Sequence, residues 1–210
     1  MDIYASDEEK GEAIKQWWRD NGTSVILGLV VASAIFVGGR YWLGEKQVQT
    51  ANAAKQYQYI EMLLTEKKPA EAENFADTLF SDYAATPYAT FSAFSLAKSA
   101  AEKDEYDKSK FYLEWVVNHA QLEAHIETAR FRLAKLLFNE GAYQQASSLC
   151  DQSNSLAFKS LFDELKADIL LAQGEKTKAA GLLQTVISGL DSNDPRYMIV
   201  KLKLDDVSGV

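Results

Sequence analysis

The sequence predicts an all-α protein with one N-terminal transmembrane helix followed by an α-solenoid of helix pairs. The first observation behind this prediction is a long apolar run over residues 21–43 of a 210-residue chain. The second is that no stretch beyond the run alternates with the two-residue period of a strand. The third is a register of small residues that occurs three times between Leu96 and Ala179. The predicted organisation is a tail over residues 1–20, a transmembrane helix over 21–43 and a repeat domain over 44–210.

The apolar run is long enough to cross a membrane. Residues 21–39 contain no charged side chain, and the apolar character continues past them. At 1.5 Å per residue, about 22 helical residues span roughly 33 Å, enough for a hydrocarbon core of roughly 30 Å. Trp17-Trp18 precede the run and Tyr41-Trp42 close it, as is typical of aromatic residues at the two membrane interfaces. The ends therefore indicate a bounded span.

A cleaved signal peptide and a buried core helix are the alternatives to a retained anchor. The motif Ala32-Ser33-Ala34 has the small-x-small form that signal peptidase accepts, but the apolar run continues beyond it. The segment before the run is also more acidic than basic, which is atypical of a signal peptide. Basic residues are almost evenly divided between the two sides of the span, so their count does not decide its orientation.

Small residues form a stripe on one face of the predicted span, at Ser24, Gly28 and Ala32. Residues four apart lie on the same helix face, and small side chains there permit close contact with another transmembrane helix. These three residues are therefore candidate helix contacts. Small residues are common in membrane helices, so a lipid-facing stripe without a partner is the alternative.

The remainder of the chain reads as consecutive helices. Apolar residues at helical spacing predict that a helix continues out of the membrane over residues 44–66, before Lys67-Lys68-Pro69 breaks it. Pro69, Pro87 and Pro195 all fall at or beside predicted helix boundaries, where the fixed φ and missing N–H cost little. The further predicted helices cover residues 70–82, 87–101, 105–118, 122–139, 143–152, 157–172 and 176–190, with a shorter one after Pro195.

Helix pairs repeat with a common register. Leu96-Ala97-Lys98 recurs as Leu133-Ala134-Lys135 thirty-seven residues later, and a third copy keeps Ala167, Gly174 and Ala179 at corresponding places. The small residues allow adjacent helices to approach closely, and glycine suits the tight turn between them. Spacing and register are typical of a tetratricopeptide repeat. Asp104 replaces the turn glycine of the first copy, and a non-repetitive helical bundle is the alternative.

Composition and motifs exclude several kinds of function. The formal net charge is −8, of which residues 45–210 carry −6, so nucleic acid and anionic lipid headgroups are disfavoured as main partners. Cys150 is the single cysteine, and His119 and His125 lie six apart without a carboxylate at metal-ligand spacing. No phosphate loop, nucleophile motif or dinucleotide fingerprint occurs. We therefore predict a protein that is not an enzyme and has no cofactor or metal.

A partner-binding groove is predicted on the first helix of each pair. If Ala97 and Ala134 are the packing positions, one side of these helices carries aromatic and basic residues. Aromatic rings beside lysines suit a protein segment with apolar and acidic side chains. The alternative is that the phenylalanines belong to the core, as aromatic residues at helical spacing usually do. The candidate groove residues are Phe91, Phe94, Lys98, Phe131, Lys135 and Phe138.

The complete layout resembles a known bacterial family. The chain opens with MDIY, continues through the amphipathic EAIKQWWRDNG, closes its span with GGRYW and then carries weak repeats. In these features it resembles the YfgM-like family of ancillary subunits of the SecYEG translocon, along essentially its full length. The resemblance implies a single-pass inner-membrane protein with a cytoplasmic N-terminus and a periplasmic repeat domain. It also implies association with SecYEG and with periplasmic chaperones such as PpiD.

Two hypotheses for function follow, besides the less favoured enzyme. The first is a membrane-tethered adaptor whose repeat groove binds a protein partner beside the translocon exit. The second is a structural subunit of another cell-envelope complex that uses its repeats only for assembly. Both include contact with the lipid bilayer through one transmembrane helix.

Overall fold

The computed structural model describes the backbone of residues 7–209 and the side chains of residues 10–209, so the opening MDIY lies outside the described residues. Within this range the chain is helical throughout and contains no strand, which confirms the prediction of an all-α chain. The helices are α1 Asp7–Thr65, α2 Pro69–Asp82, α3 Pro87–Ala101, α4 Tyr106–His119, α5 Glu123–Asn139, α6 Tyr143–Asp151, α7 Lys159–Ala172, α8 Lys176–Gly189 and α9 Pro195–Ser208.

The chain divides into two compact units, Met1–Ala51 and Asn52–Val210. Helix α1 begins in the first unit and ends in the second, so no break in secondary structure marks the boundaries at residues 20 and 43. Those predicted boundaries remain predictions.

The described part of the first unit is the N-terminal portion of α1. Its most apolar 18-residue window has a mean hydropathy of 2.0 and is 6% buried. By length and composition α1 can therefore cross a membrane, whereas a core helix of a soluble protein would be mostly buried. The helix also runs unbroken past Ala34. The aromatic side chains of Trp17, Trp18, Tyr41 and Trp42 are exposed.

Identical turns join the helices of each pair in the second unit. Lys67, Asp104, Gly141 and Gly174 all have positive φ, between 59° and 81°. The next residue in each turn donates its N–H to a carbonyl five residues back, in the pairs Lys68 to Leu63, Glu105 to Ala100, Ala142 to Leu137 and Glu175 to Leu170. This bond is the mark of a Schellman helix terminus, which satisfies carbonyls that the ended helix leaves free.

The turns reveal one more repeat, a helix pair that the small-residue register in the sequence does not mark. Lys67 lies thirty-seven residues before Asp104, so the end of α1 and all of α2 form a unit ahead of the three predicted ones. Helix α9 then starts a fifth unit. In each unit the packing position of the first helix is at most 3% exposed, in the series Ile60, Ala97, Ala134, Ala167 and Val200. The second-helix position is at most 1% exposed, in the series Ala72, Ser109, Ala146 and Ala179.

The core is a row of clusters rather than a single centre. One cluster joins α1 to α5, a second joins α5 to α7, and a third joins α7 to α9. Each unit therefore buries its apolar residues mainly against its sequence neighbours, as in other solenoids.

Prolines and capping side chains mark the first turns of several helices. Pro69, Pro87 and Pro195 each occupy the first turn of a helix, as predicted. Thr86 accepts a hydrogen bond from the N–H of Ala89 at 3.4 Å, and Asp194 accepts one from the N–H of Arg196 at 2.8 Å. These side chains satisfy N–H groups that the first turn cannot pair internally.

Candidate partner-binding surface

Aromatic residues of the first helices form a continuous row. The Tyr57 ring of α1 lies 5.9 Å from Tyr88 and 6.0 Å from Phe91 of α3. Phe91 lies 5.5 Å from His125 of α5, which is also 6.3 Å from Phe94. We call this side of α1, α3 and α5 the first-helix face. Its most exposed ring among the predicted groove residues is Phe91, at 36%.

The other predicted phenylalanines have a mixed role. Phe94 is half-buried against the first core cluster, and Phe131 and Phe138 are half-buried against the second. Phe131 packs edge-on against the buried Phe162 at 5.6 Å, and Phe138 lies 5.8 Å from Tyr143. These rings therefore contribute to the core, so truncating them would alter folding as well as any surface. Their part in partner binding remains a prediction.

Three cations lie together on the first-helix face. Lys98 and Lys135 were predicted groove residues, and the structure adds Arg132, one turn before Lys135 on α5. The Arg132 guanidinium lies 4.9 Å from the centre of the Phe94 ring, and the Lys135 ammonium lies 5.9 Å from that of Phe131. Such contacts orient a cation without neutralising it.

Carboxylates of the chain neutralise only part of the positive charge of Lys98, Arg132 and Lys135. Lys98 Nζ lies 3.7 Å from Glu102 Oε1, and both side chains are largely exposed, so the pair contributes little. Among residues 10–209, neither Arg132 nor Lys135 has a carboxylate oxygen within 4.0 Å. Two cations on an acidic domain thus have no ionic partner in the described part of the chain.

A cavity of about 390 Å³ lies between α3, α4 and α5, and we call it the α3–α5 cavity. Its apolar floor comes from Ala97, Ala101, Leu113 and Leu136. Polar and basic residues complete its lining, namely Lys98, Ser109, Arg132, Lys135 and Asn139. The cavity therefore combines an apolar floor with a cationic rim that contains no carboxylate.

The charge changes sign along the first-helix face. Equivalent positions in successive units are Glu61, Lys98, Lys135, Asp168 and Lys201. Glu61 lines a neighbouring cavity of about 240 Å³ between α1 and α3. On the other side, Lys203 of α9 binds Glu164 at 2.9 Å and Asp168 at 2.8 Å. Burial lowers the pKa of Lys203, but its hydrogen bonds to these carboxylates outweigh burial and leave the pKa raised. Between the acidic positions Glu61 and Asp168, the positive charge of this series comes from Lys98 on α3 and Lys135 on α5.

A larger depression of about 720 Å³ lies between α4, α5 and α6. Its lysine, Lys110, binds Asp107 at 3.0 Å and Glu140 at 2.9 Å. Its prominent apolar residue, Phe111, is 59% exposed. Because the lysine of this depression is already paired within the chain, its charge indicates no particular ligand.

The remaining candidate groups show little chemistry. Burial raises the pKa of Cys150 to about 12, so its thiol stays protonated at neutral pH. His119 stacks on Trp115 at 4.6 Å, and His125 belongs to the aromatic row. Within residues 10–209, no three His, Cys, Asp or Glu side chains are grouped as a metal site. Ser24, Gly28 and Ala32 are exposed on α1, and their contact with another membrane helix remains a prediction.

A buried ion pair was not foreseen from the sequence. Glu127 is 4% exposed, and its carboxylate pairs with Arg130 one turn later on α5. The second carboxylate oxygen of Glu127 and the Nε of Arg130 have no hydrogen-bond partner within the described chain. A Glu-x-x-Arg spacing is common on exposed helix faces, so the sequence carries no distinctive signal for this burial.

Fold and surface together define a class of protein: a helical-repeat protein with an N-terminal helix of membrane-spanning length. The chain belongs to the tetratricopeptide repeat-like domain family, whose model matches residues 15–209. The predicted tetratricopeptide-like solenoid is thereby confirmed. The fold also matches a Podosopora anserina protein built of nearly identical TPR-like repeats of the kinesin light chain. That match has a TM-score of 0.53 and 17% identity, and covers 76% of this chain and 88% of the other.

Three bacterial relatives are each called an ancillary SecYEG translocon subunit. The Haemophilus influenzae protein is 26% identical and covers 85% of this chain and 87% of its own length. The Escherichia coli protein is 22% identical over 99% of this chain and 100% of its own. The Aggregatibacter actinomycetemcomitans protein is 25% identical over 96% and 98%. The resemblance to this group that the sequence indicated is confirmed.

Proposed function

We propose that this chain is a membrane-anchored adaptor associated with the SecYEG translocon. The observation that carries the proposal is its similarity to proteins of that name over 85% to 99% of its length. The unbroken helix α1 supports it, because a helix of this length and composition can hold the repeats at a membrane. The repeat fold supports an adaptor role, because stacked helix pairs create extended surfaces for binding proteins.

Co-purification tests the association. The full-length chain, tagged at its C-terminus and extracted in mild detergent, is expected to retain translocon subunits. The alternative, a structural subunit of another envelope complex, predicts that a different set of membrane proteins is retained. Recovery of such a set without translocon subunits would overturn the proposal.

The small-residue stripe on α1 is our candidate for the contact within the membrane. Replacing Ser24, Gly28 and Ala32 together by Leu would hold the two helices apart and reduce co-purification. A matched control carries Leu at Ile26, Val30 and Ser33, which lie on the opposite side of the same helix at 100° per residue. Equal losses in both variants would show that the stripe has no special role.

We further propose that the tail is cytoplasmic and the repeats periplasmic, where they link exported proteins to chaperones such as PpiD. A cysteine introduced at exposed Ala13 in one variant, and at exposed Ser188 in another, tests the orientation with a membrane-impermeant thiol reagent. After the outer membrane is permeabilised, Ser188→Cys should be labelled and Ala13→Cys should not. The unaltered chain serves as the blank, because Cys150 is buried. The reverse pattern would place the repeats in the cytoplasm and exclude periplasmic chaperones.

A further inference from the structure

Resting on the proposed adaptor function, we propose that the α3–α5 cavity binds a short acidic segment of the partner protein. The segment carries two carboxylates within about 10 Å, beside at least one apolar side chain. In this proposal the cationic rim of Lys98, Arg132 and Lys135 binds carboxylates. The proposal also limits the length of the acidic segment that fits.

The charges favour an anionic ligand at this place and not elsewhere on the face. Residues 45–210 carry a net charge of −6, yet the cavity lining contains three cations and no carboxylate. Arg132 and Lys135 have no ion-pair partner among the side chains of residues 10–209. A carboxylate entering the cavity would therefore gain charge-assisted hydrogen bonds without first breaking an internal ion pair of either residue.

Stabilisation of helix ends does not account for these cations. A cation in the last turn of a helix balances the negative end of the helix dipole, and Lys98 has such a position in α3. Helix α5 has no basic residue in its last turn, because Arg132 and Lys135 lie further from its end at Asn139. Both are instead held over phenylalanine rings on the first-helix face.

The cavity floor requires more than charge from its ligand. Ala97, Ala101, Leu113 and Leu136 present apolar surface, and the volume of about 390 Å³ can hold a few side chains. A purely acidic peptide would leave this floor in contact with water. A segment that combines carboxylates with an apolar residue would cover the floor and reach the rim together.

Acidic positions on both sides limit the acidic stretch. Glu61 lies one unit before Lys98, and Asp168 with Glu164 lies one unit after Lys135. Carboxylates extending past either edge would approach Glu61 or the carboxylates of α7, whose two negative charges Lys203 offsets only in part. Neighbouring packed helices are about 8–10 Å apart, and an extended chain advances about 3.3 Å per residue. About three or four residues of the partner therefore bridge α3 and α5.

Site-specific crosslinking of the full-length chain in its native membrane tests the inference. A photoreactive benzoyl-phenylalanine replaces Asn139, an exposed residue of the cavity lining, and mass spectrometry identifies the crosslinked peptide. The charge-reversed variant carries Arg132→Glu with Lys135→Glu. The matched control carries Lys103→Glu with Lys176→Glu, two exposed lysines outside the cavity that form no ion pair within the described chain. Thermal melts verify that both variants remain folded.

The expected result is a peptide with two acidic residues within about four positions, next to an apolar residue. Its yield should fall about tenfold or more in the charge-reversed variant and remain unchanged in the control, since two charge-assisted contacts are lost. An Arg132→Lys with Lys135→Arg variant, which keeps both charges, should retain most of the yield. Raising the salt concentration should weaken the crosslink in the unaltered chain.

Several outcomes would overturn the inference. These are no crosslink from Asn139, a peptide without clustered acidic residues, a crosslink to phospholipid, or a yield that charge reversal leaves unchanged. If translocon subunits still co-purify in those cases, the adaptor proposal stands and only the cavity assignment fails. An acidic, charge-dependent peptide from a protein that is neither a translocon subunit, a periplasmic chaperone nor an exported protein would instead support the cavity assignment and contradict the adaptor proposal.

Discussion

Single residues determine how each helix pair turns. Gly141 and Gly174 adopt φ values of 79° and 81°, and Asp104 holds φ 59° at the equivalent place. Asp104 is tolerated because a short polar side chain can bond locally, and it accepts a hydrogen bond from the Tyr106 hydroxyl at 2.7 Å. Each of these turns thus requires a residue with positive φ, and glycine adopts that conformation with the least strain.

The turns predict unequal effects of two substitutions. Gly141→Ala introduces a Cβ at positive φ and should lower the free energy of unfolding by about 1–2 kcal/mol. Asp104→Gly removes that strain but also a hydrogen bond, so it should change stability by less than about 1 kcal/mol. Thermal melts of both variants measure the difference. Equal destabilisation by the two substitutions would contradict the shared role of these positions.

Cys150 provides a second residue-scale prediction. Burial raises the pKa of its thiol from 9.0 to about 12. At pH 8 the thiolate fraction should therefore be roughly a thousandfold smaller than that of an unperturbed cysteine, and alkylation correspondingly slow. Iodoacetamide labelling followed by mass spectrometry measures the rate, with the urea-unfolded chain as the reference. Rapid labelling of the folded chain would show that the α6 core opens readily.

We also expect the protein to lose stability in alkali. Besides the Cys150 thiol, the Tyr112 hydroxyl has a pKa that is raised to about 12, mainly by burial. In the unfolded chain these groups release their protons near pH 9.0 and 10.0, whereas in the folded chain they keep them until about pH 12. The unfolded state thus binds fewer protons between these limits, and stability falls as pH rises through them. Urea unfolding at pH 8 and pH 10.5 should show the decrease, and Cys150→Ala should reduce it.

At the scale of an element, α5 connects two core clusters and also contains the buried Glu127–Arg130 pair. Arg130→Ala would leave a buried carboxylate without its partner, at a cost of about 3–5 kcal/mol. Replacing both residues together by Leu and Met should cost far less, because no buried charge remains. Chemical denaturation of the single and double variants tests this. A double variant as unstable as Arg130→Ala would show that the pair contributes more than mutual neutralisation.

At the scale of the whole molecule, the repeats bury their core among neighbouring helices and do not require residues 1–51 for it. A fragment covering residues 52–210 should therefore be soluble and mainly helical, with one cooperative melt. Circular dichroism checks the helicity, and the full-length chain in detergent is the control. A largely unfolded fragment would show that the repeat domain needs the earlier part of α1.

Much of the fold was predictable because its signals are local. Three prolines mark helix starts, and the predicted helices from 70–82 to 176–190 agree with α2–α8 to within two residues at either end. The small-residue register identified three repeat units. It missed the first unit, because Ile60 replaces the small residue and Lys67 the turn glycine, although the backbone there is the same.

The candidate surface was predictable only in part. Lys98 and Lys135 were found through their place beside the packing alanines. Arg132 was missed, because the equivalent residues in other units are Ser95 and Leu165 and no repeat pattern marks it.

The amino-acid sequence by itself determined the membrane-length helix, the helix boundaries and the repeat register, since each depends on residues close together in the chain. The tertiary structure alone decided which side chains are buried and which charges lack a partner. The sequence leaves both groove and core open for Phe94 and Phe131, and in the structure both rings rest half-buried against core clusters. Arg132 reaches Phe94 across thirty-eight residues of chain, and Lys203 forms ion pairs with Glu164 and Asp168 from another helix. These properties depend on contacts between distant segments, which only the packing of the helices brings together.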